Sequence, residues 1–206
     1  MTARARSLPV NGRRNRPKGR AAAGILIAIL AAVVLAADQL AKVAAIASLA
    51  PQEPVPIIGE FLVFYLVRNP GAAFSLGESV TWIFTIALAV VAVVIGWLAA
   101  TRVRSRLWAV VLGLLLGGVL GNLGDRLFRP PGFGIGHVVD FISTPWMMPA
   151  IYNVADMFIV TMMIAVALLV VTGFRLDGTR ERRVRADGDP ESDSDDRPVA
   201  GSESRP

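Results

Sequence analysis

Aspartate and asparagine side chains recur near the ends of the long apolar segments of this chain. Two pairs are spaced three residues apart, Asn122 with Asp125 and Asn153 with Asp156, so each pair shares one face of a helix. Two carboxyl groups brought together at low dielectric cannot both ionise easily, so one keeps a proton while the other stays charged. Such a pair supplies a general base that activates water and a general acid that protonates a leaving nitrogen. The residue pattern leaves open which two of the four aspartates pair: Asp38, Asp125, Asp140 and Asp156.

The composition excludes several other chemistries. The chain has no cysteine, which excludes disulfides, thiolate metal sites and cysteine nucleophiles. Its single histidine, His137, cannot build a three-histidine zinc site, and we expect no metal and no organic cofactor. The net charge of +5 could indicate a nucleic-acid partner, but seven of the 21 basic residues precede the first apolar run. We therefore expect no nucleic acid.

Long uncharged runs are the elements that must position these side chains. The 206 residues are 54% hydrophobic and only 18% charged, whereas soluble domains have about 25% charged residues. The pattern predicts an all-α membrane protein, a bundle of four transmembrane helices within a core at 21–174. A signal peptide would also explain the first run, but that run is long and three others follow it. The predicted spans are 22–49, 79–101, 106–126 and 151–173.

The distribution of basic residues predicts the orientation of the spans. Basic residues crowd residues 1–20, the connection at 101–106 and the segment after the fourth span, and such residues favour the cytoplasmic side. We therefore predict disordered cytoplasmic tails, one basic at 1–20 and one acidic at 175–206, with segments 50–78 and 127–150 outside. Within the first external segment, residues 61–67 are apolar and β-branched or aromatic, which predicts a strand at the membrane surface.

This topology places seven Asp and Asn residues at one depth, near the outer leaflet. They are Asp38, Asn69, Asn122, Asp125, Asp140, Asn153 and Asp156. Taken singly, some of these residues could have a purely structural role. Asp38 and Lys42 have the spacing of a helical ion pair, Asp125 with Arg126 could pair at the interface, and Asn153 is a candidate N-cap with Asp156 behind it. Because all seven residues are predicted at one depth, a functional site is favoured over seven separate structural roles.

Five short motifs in this order resemble those of the lipoprotein signal peptidase (signal peptidase II) family. They are DQLAK (38–42), NPGAAFS (69–75), GNLGDR (121–126), HVVDF (137–141) and YNVAD (152–156). The resemblance covers roughly 22–175. Tyr152 stands where the family commonly has Phe, which keeps an aromatic side chain at that position.

The resemblance implies an aspartic intramembrane endopeptidase of the bacterial inner (cytoplasmic) membrane. Such enzymes cut the signal peptide from prolipoproteins just before a cysteine that carries diacylglyceryl, and they are the target of globomycin. It implies a small extracytoplasmic β cradle, a site toward the outer leaflet, and lipidated prolipoproteins and membrane lipids as partners. The sequence leaves the oligomeric state open, and a monomer would suffice. By this resemblance Asp140 and Asp156 are the catalytic pair. The implied supporting or substrate-binding residues are Asp38, Lys42, Asn69, Gly71, Asn122, Asp125, Arg126 and Asn153.

Two other functions are compatible with intramembrane acids. A proton-coupled transporter would distribute carboxylates through the depth of the membrane, whereas the middle of the second span has none. A membrane scaffold without activity would need no paired carboxylates, and its aspartates would tolerate replacement by asparagine.

Overall fold

The computed structural model describes residues 18–71 and 81–180. The described part contains four helices that are long and apolar enough to cross a membrane, together with one small sheet. In chain order the elements are α1 (Lys18–Ser48), β1 (Pro54–Ile58), β2 (Leu62–Asn69), α2 (Thr81–Thr101), α3 (Arg106–Phe128), β3 (Val138–Ser143), β4 (Ile151–Tyr152) and α4 (Val154–Val171). The segment 72–80, which includes the end of the NPGAAFS motif, and most of both predicted tails lie outside the described residues.

Helix α3 occupies the centre of the bundle and contacts the other three helices. In its most apolar stretch 67% of the residues are buried, against 11% in α2 and 6% in α4. Glycines permit this central position: a Cβ on Gly117 would lie 2.6 Å from the Val34 side chain, and one on Gly118 would lie 2.7 Å from the Ala155 carbonyl oxygen. The glycine row on α3, formed by Gly113, Gly117, Gly118 and Gly121, therefore serves close helix approach.

Apolar side chains on the outside of α2 and α4 have few protein neighbours. Ile83, Val93, Ile164 and Leu168 are all exposed, although each helix satisfies its backbone hydrogen bonds internally. Such surfaces are stable in contact with lipid chains and costly in water. The exposure pattern therefore agrees with a multi-pass membrane protein.

The sheet contains four antiparallel strands in the order β1-β2-β3-β4, and so joins both predicted external segments. The small sheet that the resemblance implied beside the four helices is present. The residue pattern by itself predicted only the strand at 61–67, because β3 and β4 belong to the segment that we read as loop and helix. Ile151 and Tyr152 were predicted to begin the fourth span, but they pair with Ser143 and Ile142. Asp140 lies in β3 opposite Val67 of β2.

The predicted tail boundaries differ from the structure by a few residues. Residues 18–20 form the first turn of α1 rather than the end of the basic tail. Beyond α4, the Leu176 carbonyl oxygen accepts hydrogen bonds from the backbone N–H groups of Arg104 and Ser105 at 3.0 and 3.1 Å. The start of the predicted acidic tail therefore packs against the connection between α2 and α3.

Candidate active site

All seven predicted Asp and Asn residues belong to one connected network of hydrogen bonds and ion pairs. They come from α1, β2, α3, β3 and the start of α4. Asn153 is central to this network: its Nδ2 atom donates to Asp140 Oδ1 at 2.6 Å and to Asn122 Oδ1 at 3.1 Å. The structure therefore brings together side chains that lie more than 100 positions apart along the chain.

Local structure places Asp156 at the start of α4. Asn153 is the N-cap, and its Oδ1 atom accepts a hydrogen bond from the Asp156 N–H at 3.0 Å. The Asp156 carboxylate accepts in return from the Asn153 N–H at 3.1 Å, which completes a capping box. Asn153 is thus the N-cap, as predicted. Asp156 has a further contact besides those of the capping box, because its Oδ1 atom also accepts from Asn122 Nδ2 at 2.7 Å.

Strand register places Asp140 beside Asn69. Asn69 pairs with Val138, so Asp140 is its diagonal neighbour on the same face of the sheet. Asn69 Nδ2 donates to Asp140 Oδ2 at 2.8 Å, and the other carboxyl oxygen accepts from Asn153. Burial and the nearby charge of Asp156 raise the pKa of Asp140 to about 7, although the two amide donors act in the opposite direction.

A buried group of ion pairs lies behind the two aspartates. Lys42 Nζ is 2.8 Å from Asp38 Oδ2 and 2.8 Å from Asp125 Oδ2, and the three side chains are fully buried. Asp125 also accepts from Arg129 Nε at 2.6 Å and from the Val139 N–H at 3.2 Å, which anchors β3 to α3. The helical pair of Asp38 and Lys42 is therefore real, but it is one part of a larger cluster.

Two members of this cluster were missed by the sequence reasoning. Gln39 Nε2 donates to Asp125 Oδ1 at 3.1 Å, and Arg129 Nη2 donates to Gln39 Oε1 at 3.3 Å. The spacing of four residues between Asp125 and Arg129 was an available signal, because it is that of a helical ion pair. Asp125 forms its salt bridge with Arg129, four residues later, and not with its sequence neighbour Arg126.

Arg126 and Gly71 both lie against Phe84, close to the aspartates. Arg126 Nη1 donates to the Pro70 and Gly136 carbonyl oxygens at 3.0 and 3.2 Å, and its guanidinium carbon lies 5.7 Å from the Phe84 ring centre. Gly71 has φ of 111°, and a Cβ there would lie 2.7 Å from the Phe84 side chain. Its N–H donates to Asn69 Oδ1 at 2.8 Å, which fixes the amide that contacts Asp140.

Asp140 and Asp156 line the same cavity, of about 260 Å³. Further polar residues in its lining are Asn69, Asn122 and Arg126. Most of the apolar lining comes from one element, α2, through Phe84, Ala87, Leu88 and Val91. The cavity therefore combines the buried carboxyl group of Asp140 and the half-buried one of Asp156 with an apolar wall on a helix whose outer side has few protein neighbours.

A family model and curated relatives match most of this chain. The model of the signal peptidase II family matches residues 30–174. A lipoprotein signal peptidase of Leifsonia xyli subsp. xyli is 45% identical over 169 residues, which cover 82% of this chain and 77% of the relative. The lipoprotein signal peptidase of Rhodococcus jostii is 49% identical over 158 residues, which cover 76% of this chain and 78% of the relative.

Solved structures of a bacterial membrane enzyme are also similar to this chain. Two of them share 27% identity and a TM-score of 0.61 with it, over 73% of this chain. The matched regions cover 88% and 93% of the two solved chains. The motifs, the four apolar helices and these relatives lead to one conclusion: this chain belongs to the signal peptidase II family and is a peptidase.

Proposed function

We propose that this peptidase removes signal peptides from prolipoproteins by cutting the bond before a cysteine that carries diacylglyceryl. The observation that carries the proposal is the shared cavity of Asp140 and Asp156, whose lining combines their carboxyl groups with apolar residues of α2. Acyl chains of the substrate would lie against α2, and the scissile peptide would lie against the carboxyl groups. Positioning of this kind can supply much of a rate enhancement.

The surrounding charges support a single proton shared by the catalytic pair. Four carboxyl groups occur in the connected cluster: Asp38, Asp125, Asp140 and Asp156. Three cations accompany them: Lys42, Arg126 and Arg129. One bound proton therefore makes the cluster neutral, which is the cheapest state for a buried group of charges.

The surroundings of the two aspartates favour different roles. Asp140 lies in a strand, and its pKa of about 7 suits a general acid near neutral pH. Asp156 lies in the first turn of α4, where backbone N–H groups favour a negative charge. We therefore assign the proton to Asp140 and the base to Asp156.

The reaction then follows from these protonation states. Asp156 removes a proton from water while the water oxygen attacks the scissile carbonyl carbon. Asp140 stabilises the resulting oxyanion by a hydrogen bond and then gives its proton to the departing amide nitrogen as the C–N bond breaks. Transfer of the proton from Asp156 to Asp140 then restores the starting state. Asn69, Asn122 and Asn153 keep both carboxyl groups oriented throughout.

We also propose a bacterial cytoplasmic membrane location with both termini in the cytoplasm, the site toward the outer leaflet and the sheet as an extracytoplasmic cradle. Basic residues before α1 and between α2 and α3 support this orientation. The sheet and the two aspartates occur at the opposite ends of the helices from that connection. The site is assembled within one chain, so a monomer suffices.

The test is cleavage of a lipidated prolipoprotein by the purified enzyme in detergent. Asp140→Asn and Asp156→Asn should each lower turnover by at least about 10³-fold, since each removes one proton-transfer group. Asp177→Asn is the matched control, because Asp177 is exposed beyond α4 and should leave turnover unchanged. The same substrate without lipid on its cysteine should not be cut. Full turnover by either catalytic variant, or proton flux in liposomes that requires both aspartates, would contradict the proposal.

A further inference from the structure

We propose that Lys42 is a positioning residue for the catalytic pair: it fixes the orientation of the Asn122 amide and so the hydrogen bond that Asp156 receives. The inference rests on the function proposed above. It assigns to a lysine of α1 an effect on chemistry at the start of α4, transmitted through Asn122 of α3.

The three N–H groups of the Lys42 ammonium have three partners. They are Asp38 Oδ2 at 2.8 Å, Asp125 Oδ2 at 2.8 Å and Asn122 Oδ1 at 2.9 Å. Lys42 is fully buried, so an unused donor would be costly. The two carboxylates are enough to balance the charge of the ammonium group. The third contact, with the neutral Asn122 amide, connects Lys42 to a residue that lines the cavity.

The contact with Lys42 decides which way the Asn122 amide points. Its Oδ1 atom accepts from Lys42 and from Asn153, so its Nδ2 atom faces Asp156 Oδ1 at 2.7 Å. A rotated amide would put its NH₂ group against the ammonium and its oxygen against the Asp156 carboxylate. Both contacts would be repulsive, so Lys42 excludes that rotamer.

The effect extends to Asp140 through Asn153. The Oδ1 atom of Asn153 already accepts from the Asp156 N–H, which leaves its Nδ2 atom for Asn122 and Asp140. The hydrogen bonds therefore run in one direction from the ammonium to Asp156, and the two amides present donors to both catalytic carboxyl groups. Loss of Lys42 would leave the Asn122 oxygen with Asn153 as its one remaining donor among these contacts, and so loosen the amide that donates to Asp156.

A change at Lys42 should also alter the pH dependence of the reaction. The charged groups around Asp156 are Asp38 and Lys42 from α1, Arg126 from α3 and Asp140 from β3. Asp125 and Arg129 follow beyond Lys42. Removing a cation and a fixed donor should make the catalytic pair bind a proton more tightly. The acidic limb of the pH–rate profile should then move to higher pH, by roughly one unit.

The experiment compares Lys42→Met with the double variant Lys42→Met/Asp38→Asn. The single variant leaves one buried carboxylate without its countercharge and is expected to lose stability. The double variant removes one charge of each sign, so the cluster keeps its net charge, and Asn at position 38 can still accept from the Ala155 N–H, which now lies 2.9 Å from Asp38 Oδ1. Thermal unfolding in detergent, kcat, KM and the pH–rate profile are measured for both.

The double variant should regain stability but not activity. We expect kcat to remain about 10²-fold below the parent value, as for small misplacements in an active site, with KM nearly unchanged. The acidic limb should be displaced by less than in the single variant, because removal of the Asp38 charge offsets the lost cation and only the loss of the fixed donor remains. Replacing Asn122 by Ala in this background should cost little more, because the two changes remove one interaction. Parent values of kcat and of the acidic limb in the double variant would show that Lys42 is only a countercharge, and would overturn the inference.

The outcomes separate this inference from the proposed function. If the parent enzyme fails to cut the lipidated substrate, or Asp140→Asn retains turnover, the proposed function is wrong. If the parent cuts it, Asp140→Asn is inactive and the double Lys42 variant behaves like the parent, only the role of Lys42 is wrong.

Discussion

Asn153 donates a hydrogen bond of 2.6 Å to Asp140 from the N-cap position of α4. The same residue accepts from the Asp156 N–H and so begins the helix that carries the second aspartate. One side chain therefore joins a strand and a helix end across the cavity. Its cap oxygen and its amide NH₂ group have separate partners, so the two contributions can be separated by substitution.

Asn153→Ser should separate helix capping from the donor to Asp140. Serine is about as good an N-cap as asparagine, but it has no NH₂ group for Asp140 or Asn122. We expect stability within about 1 kcal/mol of the parent and a loss of kcat on the order of 10²-fold. Thermal unfolding in detergent and initial rates on the lipidated substrate measure the two effects.

Asn153→Ala is the control for this experiment, because it removes both functions. It should be as inactive as the serine variant and less stable than it by about 1 kcal/mol. A serine variant with the parent rate would mean that the contact with Asp140 contributes nothing to turnover.

The start of α4 was partly readable from the sequence, whereas β3 was not. An Asn three positions before an Asp, ahead of a long apolar run, has the pattern of an N-cap, and Asn153 is indeed the cap. Asp140 follows a stretch rich in glycine, which favoured a loop. Its strand depends on pairing with β2, whose residues lie about 70 positions earlier. Such tertiary pairing leaves no local periodic signal.

The buried ion cluster was likewise only partly predictable from the sequence. The spacing of Asp38 and Lys42 predicted a local pair, and that pair is present. That Lys42 also contacts Asp125 and Asn122 depends on the approach of α1 to α3, which the glycine row allows. The motifs named the participants, but only the packing of the helices shows which atoms meet.

Gly121→Ala should disturb the site through this packing. A Cβ at this position would lie 2.5 Å from Asp38 Oδ2, beside its contacts with Lys42 and with the start of α4. We expect a loss of stability of about 1–3 kcal/mol, as is usual for overpacking, and reduced turnover. Gly124→Ala is the matched control on the same helix, because its Cβ would meet no atom within 4 Å.

Alanine at position 124 should stabilise the chain by up to about 1 kcal/mol, since it is the better helix former. Unfolding of both variants in the same detergent measures the difference between them. Equal stability of the two variants would show that α1 and α3 can separate at no cost near Gly121.

The raised pKa of Asp140 predicts a basic limb in the pH–rate profile. As general acid, Asp140 must be protonated, so kcat/KM should fall as pH rises through about 7. Rates on the lipidated substrate between pH 5 and pH 9 would give the midpoint. A flat profile across this range would contradict the role of Asp140 as the acid.

The same raised pKa predicts how stability depends on pH. The folded state binds the proton more tightly than the unfolded state, in which the pKa is 3.8. The contribution of Asp140 is therefore fully present below pH 3.8 and is lost as pH rises through about 7. Asp140→Asn should reduce this decline, which unfolding at several pH values would detect against the parent.

The proposed orientation can be tested with single cysteines, because the chain has none of its own. Glu60 and Thr179 are both exposed, one in the turn between β1 and β2 and the other beyond α4. If basic segments stay in the cytoplasm, a membrane-impermeant maleimide should label Glu60→Cys in intact spheroplasts, and Thr179→Cys only after permeabilisation. The parent chain, with no thiol, gives the background. Labelling of Thr179→Cys in intact spheroplasts would mean that the chain has the opposite orientation. The aspartates would then lie near the inner leaflet, whereas the lipidated cysteine of a secreted precursor lies on the outer side.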